Sequence, residues 1–270
     1  MSPVESRASR VLITGASTGI GRALALRWAK DGAQLVLNAR DATQLEDVGR
    51  EVKALGAPAP LLVPGDVTKE PDRQRLIERT RTELEGLDVL VNNAGRGYYG
   101  LVRNTDVRDL EGLFALNVFA PLRLVQIALD DLIASKGTIV MMSSIAGVAA
   151  APGMSVYAAS KYALEAVSLS LRAELADDGV RVLVVRPGPV DTPFRENATA
   201  KQVEAGVRTR GADVQTAETV AERTFAAVKS GAAVLETSLY VRVASFGARV
   251  VPPVFRAITR RMAAKEKLKT

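Results

Sequence analysis

The chain of 270 residues is long enough to bury the core of one large α/β domain. It contains no cysteine and no histidine, which excludes disulfides, a thiol nucleophile, a thiolate metal site and the usual general base. The formal net charge of +6 belongs to the C-terminal end, because residues 242–270 hold eight of the 36 basic residues and one of the 30 acidic ones. The near-neutral remainder offers no basic stripe to nucleic acid, and we expect no nucleic-acid partner.

The sequence also predicts neither export nor membrane insertion. Residues 1–10 are polar and lack the apolar centre of a signal peptide. No uninterrupted apolar run approaches the length of a membrane span. We therefore expect a cytoplasmic protein.

Apolar runs typical of buried strands alternate with helical stretches along the chain. This alternation predicts βαβ units, and hence a Rossmann-like, doubly wound parallel sheet in a single α/β domain. The predicted strands are 10–14, 34–38, 60–64, 87–91, 137–143, 180–185 and 232–236, and the predicted helices include Arg22–Lys30, Ala42–Leu55 and 155–177.

A glycine-rich turn separates the first strand from the first helix. Gly15, Gly19 and Gly21 lack side chains that would keep the backbone N–H groups away from a pyrophosphate. The positive end of the helix dipole favours an anion at the same place. The pattern therefore predicts a dinucleotide site, whereas the simpler alternative is a tight turn that needs only small residues.

The end of the second strand bears on the choice of cofactor. In NAD sites a carboxylate at this place accepts hydrogen bonds from the adenosine ribose. Residues 37–40 include no carboxylate. Arg40 could instead bind a 2′-phosphate through two hydrogen bonds. We therefore predict NADP(H), the alternative being that Arg40 is a solvated arginine that caps a helix.

Tyr157 and Lys161 stand four residues apart in a predicted helix, so their side chains share one face. A phenol ordinarily has a pKa of about 10. A neighbouring ammonium favours the phenolate and is expected to lower that pKa towards neutrality, which suits a proton donor and acceptor. A chance pair of surface residues is the alternative.

Several motifs in this order resemble those of the short-chain dehydrogenase/reductase family, over roughly residues 8–236. They are Thr14-Gly15-x3-Gly19-x-Gly21, Asn92-Asn93-Ala94-Gly95, a serine thirteen residues before Tyr157, and Tyr157-x3-Lys161. The resemblance implies an NADP-binding domain at 1–236 with a substrate lid at about 191–216, and leaves 237–270 as a basic extension. It also implies a homodimer or homotetramer built mainly through helices at about 105–135 and 155–177.

The resemblance implies a catalytic set of Asn117, Ser144, Tyr157 and Lys161. Ser144 is chosen over Ser143 by its spacing from the tyrosine, and strand alternation sends only one of the two hydroxyls into the pocket. Asn117 matches an asparagine that holds a water in the proton relay. As a polar residue among apolar ones it needs a partner if buried, so a purely structural role stays open.

The resemblance also places a cofactor along the motifs, with Ala39 where NAD-binding relatives carry a carboxylate. We predict no metal site. The predicted cofactor-binding residues are Gly15, Ser17, Thr18, Gly19, Ile20, Gly21, Arg40, Asp66, Val67, Asn93, Ala94, Gly95, Tyr157, Lys161, Pro187, Gly188, Val190 and Thr192.

The predicted substrate pocket is mostly apolar. Its candidate residues are Tyr98, Tyr99, Ile145, Val148, Ala149, Met154, Pro189, Val190 and Phe194, with Arg96 as a polar exception. We expect an oxidoreductase that interconverts a carbonyl and an alcohol on a bulky hydrophobic molecule. A non-catalytic NADP-binding sensor or scaffold on the same fold is the alternative.

The C-terminal extension has its own pattern. Val254, Phe255, Ile258 and Met262 share one face of a predicted helix, with basic residues beside it. Such a helix could lie on an anionic membrane surface. Four apolar residues bury little area, however, so the sequence favours packing of this face on the body or on a second subunit.

Overall fold

The computed structural model describes residues 8–199 and 214–265, with side chains described as far as Arg261, so part of the predicted lid and the side chain of Met262 lie outside the described residues. The described strands are β1 (Arg10–Thr14), β2 (Gln34–Asn38), β3 (Leu61–Leu62), β4 (Val89–Asn92), β5 (Thr138–Met142), β6 (Arg181–Arg186), β7 (Val190–Asp191), β8 (Gln215–Thr216) and β9 (Val234–Glu236). Seven of them form one parallel sheet in the order β3-β2-β1-β4-β5-β6-β9, while β7 pairs with β8.

Helices connect the strands and cover the sheet. The described α-helices are α1 (Gly19–Ala29), α2 (Ala42–Ala54), α3 (Glu70–Leu84), α4 (Val107–Phe114), α5 (Ala120–Ser135), α6 (Ser155–Glu174), α7 (Ala217–Ser230), α8 (Leu239–Val250) and α9 (Pro252–Lys265). A π-helical turn, Ala115–Phe119, joins α4 to α5, and short 3₁₀ turns occupy Val102–Asn104 and Ile145–Gly147.

The sheet is buried on both faces because side chains alternate along each strand. On β1, Val11 and Ile13 pack with α1, α2 and α7, whereas Leu12 packs on the opposite face with α3, α5 and α6. Trp28 and Phe225 meet edge to face where α1 packs on α7. The predicted doubly wound α/β fold in a single domain is confirmed.

Most predicted elements are present, and the differences lie at their ends. The third strand is limited to Leu61–Leu62 at the sheet edge, where it pairs only with β2 in the described sheet. Helix α1 begins at Gly19, so two of the motif glycines already belong to its first turn. Helix α6 ends at Glu174, three residues before its predicted end.

The strand order creates the place for a site. The chain runs outwards from β1 to β3, then returns to β4 on the other side of β1. At such a reversal the loops that follow the two neighbouring strands part, and a crevice opens at their carboxyl ends. The loops after β1 and β4 carry the glycine turn and the Asn93-Ala94-Gly95 segment.

One helical stretch among the described residues is long and apolar, although polar residues such as Asn117 and Arg123 interrupt it. Val107–Ser135, which runs through α4, the π-helical turn and α5, reaches a mean hydropathy of 1.6 and is long enough to cross a membrane. Its inner face is part of the core, where Leu124, Ala128 and Leu132 pack against the sheet. Packing of this helix in the core explains its apolar composition.

A buried ion pair holds α6 against the strands. Arg186, at the end of β6, donates hydrogen bonds of 3.0 and 2.8 Å to Glu165 of α6 and one of 3.2 Å to Glu236 of β9. Arg186 and Glu165 are almost completely buried. Loss of either partner would leave a buried charge uncompensated, which costs about 3–5 kcal/mol. The helix that carries Tyr157 and Lys161 is thereby fixed to two strands.

Candidate active site

A continuous cleft of about 1470 Å³ runs along the carboxyl ends of the strands. All of the predicted cofactor-binding residues line it, together with Ser144. The cleft begins beside Arg40, at the end of β2, and continues to Phe194, beyond β7. The fold therefore brings the predicted cofactor residues and most of the catalytic residues to one crevice.

The glycine turn cannot be built from larger residues. Gly15 and Gly19 have φ angles of +64° and +53°, which residues with a Cβ rarely adopt. A Cβ on Gly21 would lie 2.0 Å from the carbonyl oxygen of Gly15, and one on Gly15 would lie 2.8 Å from Ala94 Cα. Thr18, the residue before α1, makes no capping hydrogen bond with its side chain, and the first turn of the helix holds no acidic residue. The helix start can thus bind an anion through its backbone N–H groups.

Asn93 connects the loops on the two sides of the crevice. Its Nδ2 donates to the carbonyl oxygens of Thr14 (2.9 Å) and Gly15 (3.0 Å). The hydroxyl of Thr14 accepts from the backbone N–H groups of Asn93 and Ala94, both at 3.1 Å. These four bonds hold the glycine turn in register with the end of β4.

At the other end of the cleft, Ala39 is buried while Arg40 is exposed and lines the opening. Asn38 fixes this strand end, because its Nδ2 donates to the carbonyl oxygens of Val63 (2.9 Å) and Gly65 (3.3 Å). Asp41 is the residue that caps α2, since it accepts a hydrogen bond from Gln44 N. The alternative in which Arg40 caps this helix is therefore wrong.

Tyr157 and Lys161 are both buried on the face of α6 that meets the cleft, so the alternative of a chance surface pair is also wrong. Lys161 Nζ donates a 2.8 Å hydrogen bond to the carbonyl oxygen of Met142, at the end of β5. It lies 5.9 Å from the centroid of the Tyr157 ring. The helix thus presents a phenol and an ammonium to the same part of the cleft.

Both neighbouring serines line the cleft, whereas strand alternation had predicted that only one would face it. Their side chains differ in their contacts. The hydroxyl of Ser144 lies close enough to that of Tyr157 to favour the phenolate and lower its pKa, and it accepts a hydrogen bond from Ala146 N at 3.1 Å. The buried hydroxyl of Ser143 has no hydrogen-bond partner within the described residues. It lies 2.7 Å from where a Cβ on Gly147 would stand. The contact with Tyr157 supports Ser144 as the reactive serine.

Asn117 sits in the π-helical turn and is fixed by three hydrogen bonds. Its Oδ1 accepts from Arg96 N (3.0 Å), and its Nδ2 donates to Arg96 O (3.0 Å) and Ser160 Oγ (3.1 Å). Asn117 is not among the residues that line the cleft. These bonds give it a structural role between the loop after β4 and α6, while its part in a water relay stays a prediction.

The electrostatics of the pair differ from the sequence prediction. Burial raises the pKa of Tyr157, and the hydrogen bond from Ser144 opposes this only in part. Burial lowers the pKa of Lys161 to about 8, against the opposing influence of Glu165. The predicted depression of the phenol pKa by the ammonium is therefore wrong for the described chain, because desolvation disfavours the charged form of both groups.

The substrate end of the cleft is lined by Tyr99, Ile145, Met154 and Phe194. The ring of Phe194 meets that of Tyr157 edge to face, with centroids 5.9 Å apart. Pro189, Val190 and Arg96 also line the cleft, as predicted.

Three predicted pocket residues do not line the cleft, namely Tyr98, Val148 and Ala149. Tyr98 is completely buried, and its hydroxyl donates to Thr105 Oγ1 at 3.1 Å. Its ring packs in a small core cluster with Leu113 and Val156. The alternation of side chains along the loop sends Tyr99, but not Tyr98, to the cleft.

Other cleft residues carry no local signal in the sequence. They include Gln44, Lys69, Leu116, Met142, Arg195 and Tyr240. The guanidinium of Arg195 lies 5.5 Å from the centroid of the Tyr99 ring. Tyr240 belongs to α8, outside the region of the motifs, and only the tertiary fold brings it to the cleft. Within the described ranges no cluster of three or more potential metal ligands occurs.

Comparisons with known proteins agree with this geometry. A family model described as short chain dehydrogenase matches residues 9–203. An 11-beta-hydroxysteroid dehydrogenase 1A of Arabidopsis thaliana is 40% identical over 187 residues, which are 69% of this chain and 53% of that protein. The chain thus spans about half the length of this curated relative.

Two solved structures are similar over nearly the whole chain. A short-chain dehydrogenase from Sphingobium yanoikuyae in complex with NADPH has a TM-score of 0.75 and 26% identity, covering 97% of each chain. A short chain dehydrogenase/reductase from Burkholderia phymatum in complex with NAD has a TM-score of 0.81 over 88% of this chain and 92% of that chain. At 24% identity the second likeness shows the fold alone.

The burial of Lys161 generates a prediction about pH. Its pKa of about 8 in the folded chain lies below the ordinary 10.5, so the unfolded chain binds more protons between these pH values. The contribution of Lys161 to stability is therefore unfavourable below pH 8 and improves as the pH rises. The quantity to compare is the difference in the free energy of unfolding between the natural chain and Lys161→Met. We expect this difference to increase in favour of the natural chain by up to about 3 kcal/mol as the pH rises from 8 to 10.5.

Urea titrations at several pH values measure this difference. The control is Lys53→Met, which replaces an exposed lysine of α2 and should give no comparable rise. A difference for Lys161→Met that stays flat from pH 8 to 10.5 would show that the ammonium is well solvated in the folded chain.

Proposed function

The chain belongs to the short-chain dehydrogenase/reductase family, and from that premise we propose that it interconverts a ketone or aldehyde and an alcohol with NADP(H) as cofactor. The observation that carries this proposal is that Ser144, Tyr157 and Lys161 line the same cleft as the glycine turn. A carbonyl oxygen that meets both hydroxyls is held at one point and can receive a proton there.

The proposed chemistry divides between the cofactor and the chain. A bound nicotinamide cofactor supplies or accepts the hydride. Ser144 donates a hydrogen bond to the carbonyl oxygen, and Tyr157 delivers the proton to it. In the oxidation direction Tyr157, as the phenolate, receives the proton of the alcohol, while Ser144 keeps its hydrogen bond to the oxygen. Because burial keeps Tyr157 protonated, the phenol is in the form that a reductase needs.

Lys161 and Asn117 have supporting roles in this proposal. Lys161 Nζ would hold the ribose of a bound nicotinamide cofactor, and its bond to Met142 O keeps it near Tyr157. Asn117 holds the backbone of Arg96, next to Gly95 of the cleft wall. A Cβ on Gly95 would lie 3.6 Å from Lys161 Nζ and 3.3 Å from Asn117 Oδ1. The side chains of Asn117 and Lys161 thus both lie beside Gly95, where the proposed water would connect them.

The choice of NADP(H) rests on the end of β2. Ala39 brings no negative charge to this end of the cleft, and Arg40 lines it with an exposed guanidinium. An exposed guanidinium can pair with a 2′-phosphate, whereas it offers little to two ribose hydroxyls. The similar protein from Sphingobium yanoikuyae is described as a complex with NADPH, and the one from Burkholderia phymatum as a complex with NAD.

We propose a bulky, hydrophobic substrate. The walls near Tyr157 are formed by Ile145, Met154 and Phe194, and such surfaces favour apolar ligands. The hydroxysteroid dehydrogenase relative is named for a substrate of this class. Turnover restricted to small charged oxo acids would contradict the assignment.

A non-catalytic NADP-binding sensor or scaffold is the competing function, and no observation favours it. A protein of that class has no need for Ser144, Tyr157 and Lys161 together in the cleft. Consumption of NADPH with a panel of hydrophobic ketones and aldehydes separates the two functions.

We further propose that residues 1–236, with a lid at about 191–216, form the catalytic domain and that 237–270 extend it. The exposed side chains of Phe119, Tyr162 and Leu169 on the turn before α5 and on α6 suit a homodimer or homotetramer. A monomer in light scattering would contradict this assembly. The proposed compartment is the cytoplasm, and recovery of the chain outside cells would contradict that.

Tyr157→Phe tests the proton delivery. It keeps the ring and its packing on Phe194 but removes the hydroxyl, so we expect NADPH-dependent ketone reduction to fall by about 10²–10⁴-fold. The matched control is Tyr162→Phe, which removes an exposed phenol from the same helix and should retain activity. Near-normal turnover by Tyr157→Phe would refute the mechanism.

Arg40→Ala tests the cofactor. The natural chain should bind NADPH more tightly than NADH by roughly 1.5–3 kcal/mol, the range of a hydrogen bond to a charged group. The variant should lose most of this margin by weaker binding of NADPH. Calorimetric titration of both cofactors measures it, with Arg50→Ala on the exposed side of α2 as the control. Equal affinities in the natural chain would contradict the choice of NADP(H).

A further inference from the structure

Helix α8 has two faces of opposite character. Val241 and Ser245 are buried against the body of the domain. The side chain of Val241 approaches Gly188, where a Cβ would lie 2.9 Å from Val241 Cγ2. Because these residues are one helical turn apart, they define the inner face of the helix.

The outer face carries a row of large apolar side chains, which we call the apolar stripe. It consists of Leu239, Val243, Phe246 and Val250, which are 72%, 64%, 63% and 58% exposed. Their spacing of four, three and four residues places them on one side of the helix, opposite Val241 and Ser245. The stripe is therefore a continuous surface that the described chain leaves uncovered.

The segment after α8 exposes further apolar side chains. Helix α9 follows α8 after one residue, and its exposed apolar side chains include those of Val254 and Ile258. Val251, between the two helices, is exposed as well. Exposed apolar side chains thus occur on both α8 and α9. The sequence pattern had predicted an apolar face on the second of these helices alone.

The segment that carries the stripe holds charges of one sign. Residues 237–265 contain five arginines, one lysine and no aspartate or glutamate. Arg242 and Arg249, seven residues apart, lie on the same flank of the stripe, and both are exposed. Arg256, Arg260 and Arg261 are exposed on α9.

We propose that α8 and α9 bind the surface of an anionic lipid bilayer, with the apolar stripe in the acyl boundary and the flanking arginines at the phosphates. A helix with an apolar face and a cationic flank is suited to this interface. A second copy of the chain fits less well. Its α8 would bring Arg242 and Arg249 against their own counterparts, with no carboxylate in 237–265 to pair with them.

The bilayer would also lie near the cleft. Tyr240 stands between the stripe and the inner face of α8, and it lines the cleft. A hydrophobic substrate dissolved in the bilayer could then enter without crossing water. This last consequence rests on the proposed function, whereas the binding of lipid does not.

Vesicle sedimentation of the full chain tests the proposal. We expect the chain to pellet with vesicles of phosphatidylcholine and phosphatidylglycerol, less so in high salt, and weakly with phosphatidylcholine alone. Val243→Ser with Phe246→Ser should lower the partition onto anionic vesicles by roughly tenfold or more. The control Leu55→Ser replaces an exposed leucine that follows α2 and should pellet like the natural chain.

A second pair of substitutions separates charge from apolar contact. Arg242→Gln with Arg249→Gln should weaken pelleting on anionic vesicles and leave the weak binding to neutral vesicles unchanged. The readout requires no turnover, so an enzyme that fails to reduce ketones could still bind lipid. Circular dichroism and NADPH binding report that each variant is folded.

Two results would overturn the proposal. One is equal pelleting by the natural chain and the folded stripe variant. The other is a natural chain that ignores anionic vesicles while the stripe variant dissociates in light scattering, since the stripe would then contact a second copy.

Discussion

The position of the Lys161 ammonium constrains the whole floor of the cleft. The group is buried, where a charge is costly, and its hydrogen bond to the carbonyl oxygen of Met142 fixes it at the end of β5. Glu165, one turn along the same helix, pairs with Arg186 of β6. The helix therefore cannot shift along the sheet without breaking buried polar contacts, and Tyr157 and Ser144 keep their mutual position for the same reason.

Much of the fold could be predicted from the sequence because it depends on local patterns. The apolar runs at Val11–Ile13 and Leu35–Leu37 are buried on both faces, as parallel strands require. The glycine turn has positive φ angles at Gly15 and Gly19. Glycine adopts such angles without steric cost, so the spacing of the glycines in the sequence already indicates the turn. Motif spacing likewise identified the serine whose side chain bonds to Tyr157.

The features that the sequence could not predict depend on which side chains are buried in the folded chain. The pKa of Tyr157 rises because desolvation outweighs its nearby hydrogen bond, and no spacing between Tyr157 and Lys161 reveals that balance. Tyr98 and Tyr99 are neighbours of one type, yet only one lines the cleft. The apolar stripe of α8 was hidden as well, since its sequence alone does not tell which face of the helix meets the body.

Proton delivery by paired hydroxyls is tested most directly by the two serines at the end of β5. Ser144→Ala and Ser143→Ala remove the same atom from adjacent residues, of which Ser144 influences the pKa of Tyr157. The measurement is kcat for NADPH-dependent reduction of a hydrophobic ketone by each variant. We expect Ser144→Ala to lose about 10²–10³-fold and Ser143→Ala to stay within a few-fold of the natural chain. Equal losses in both variants, or a larger loss in Ser143→Ala, would contradict a catalytic role for Ser144.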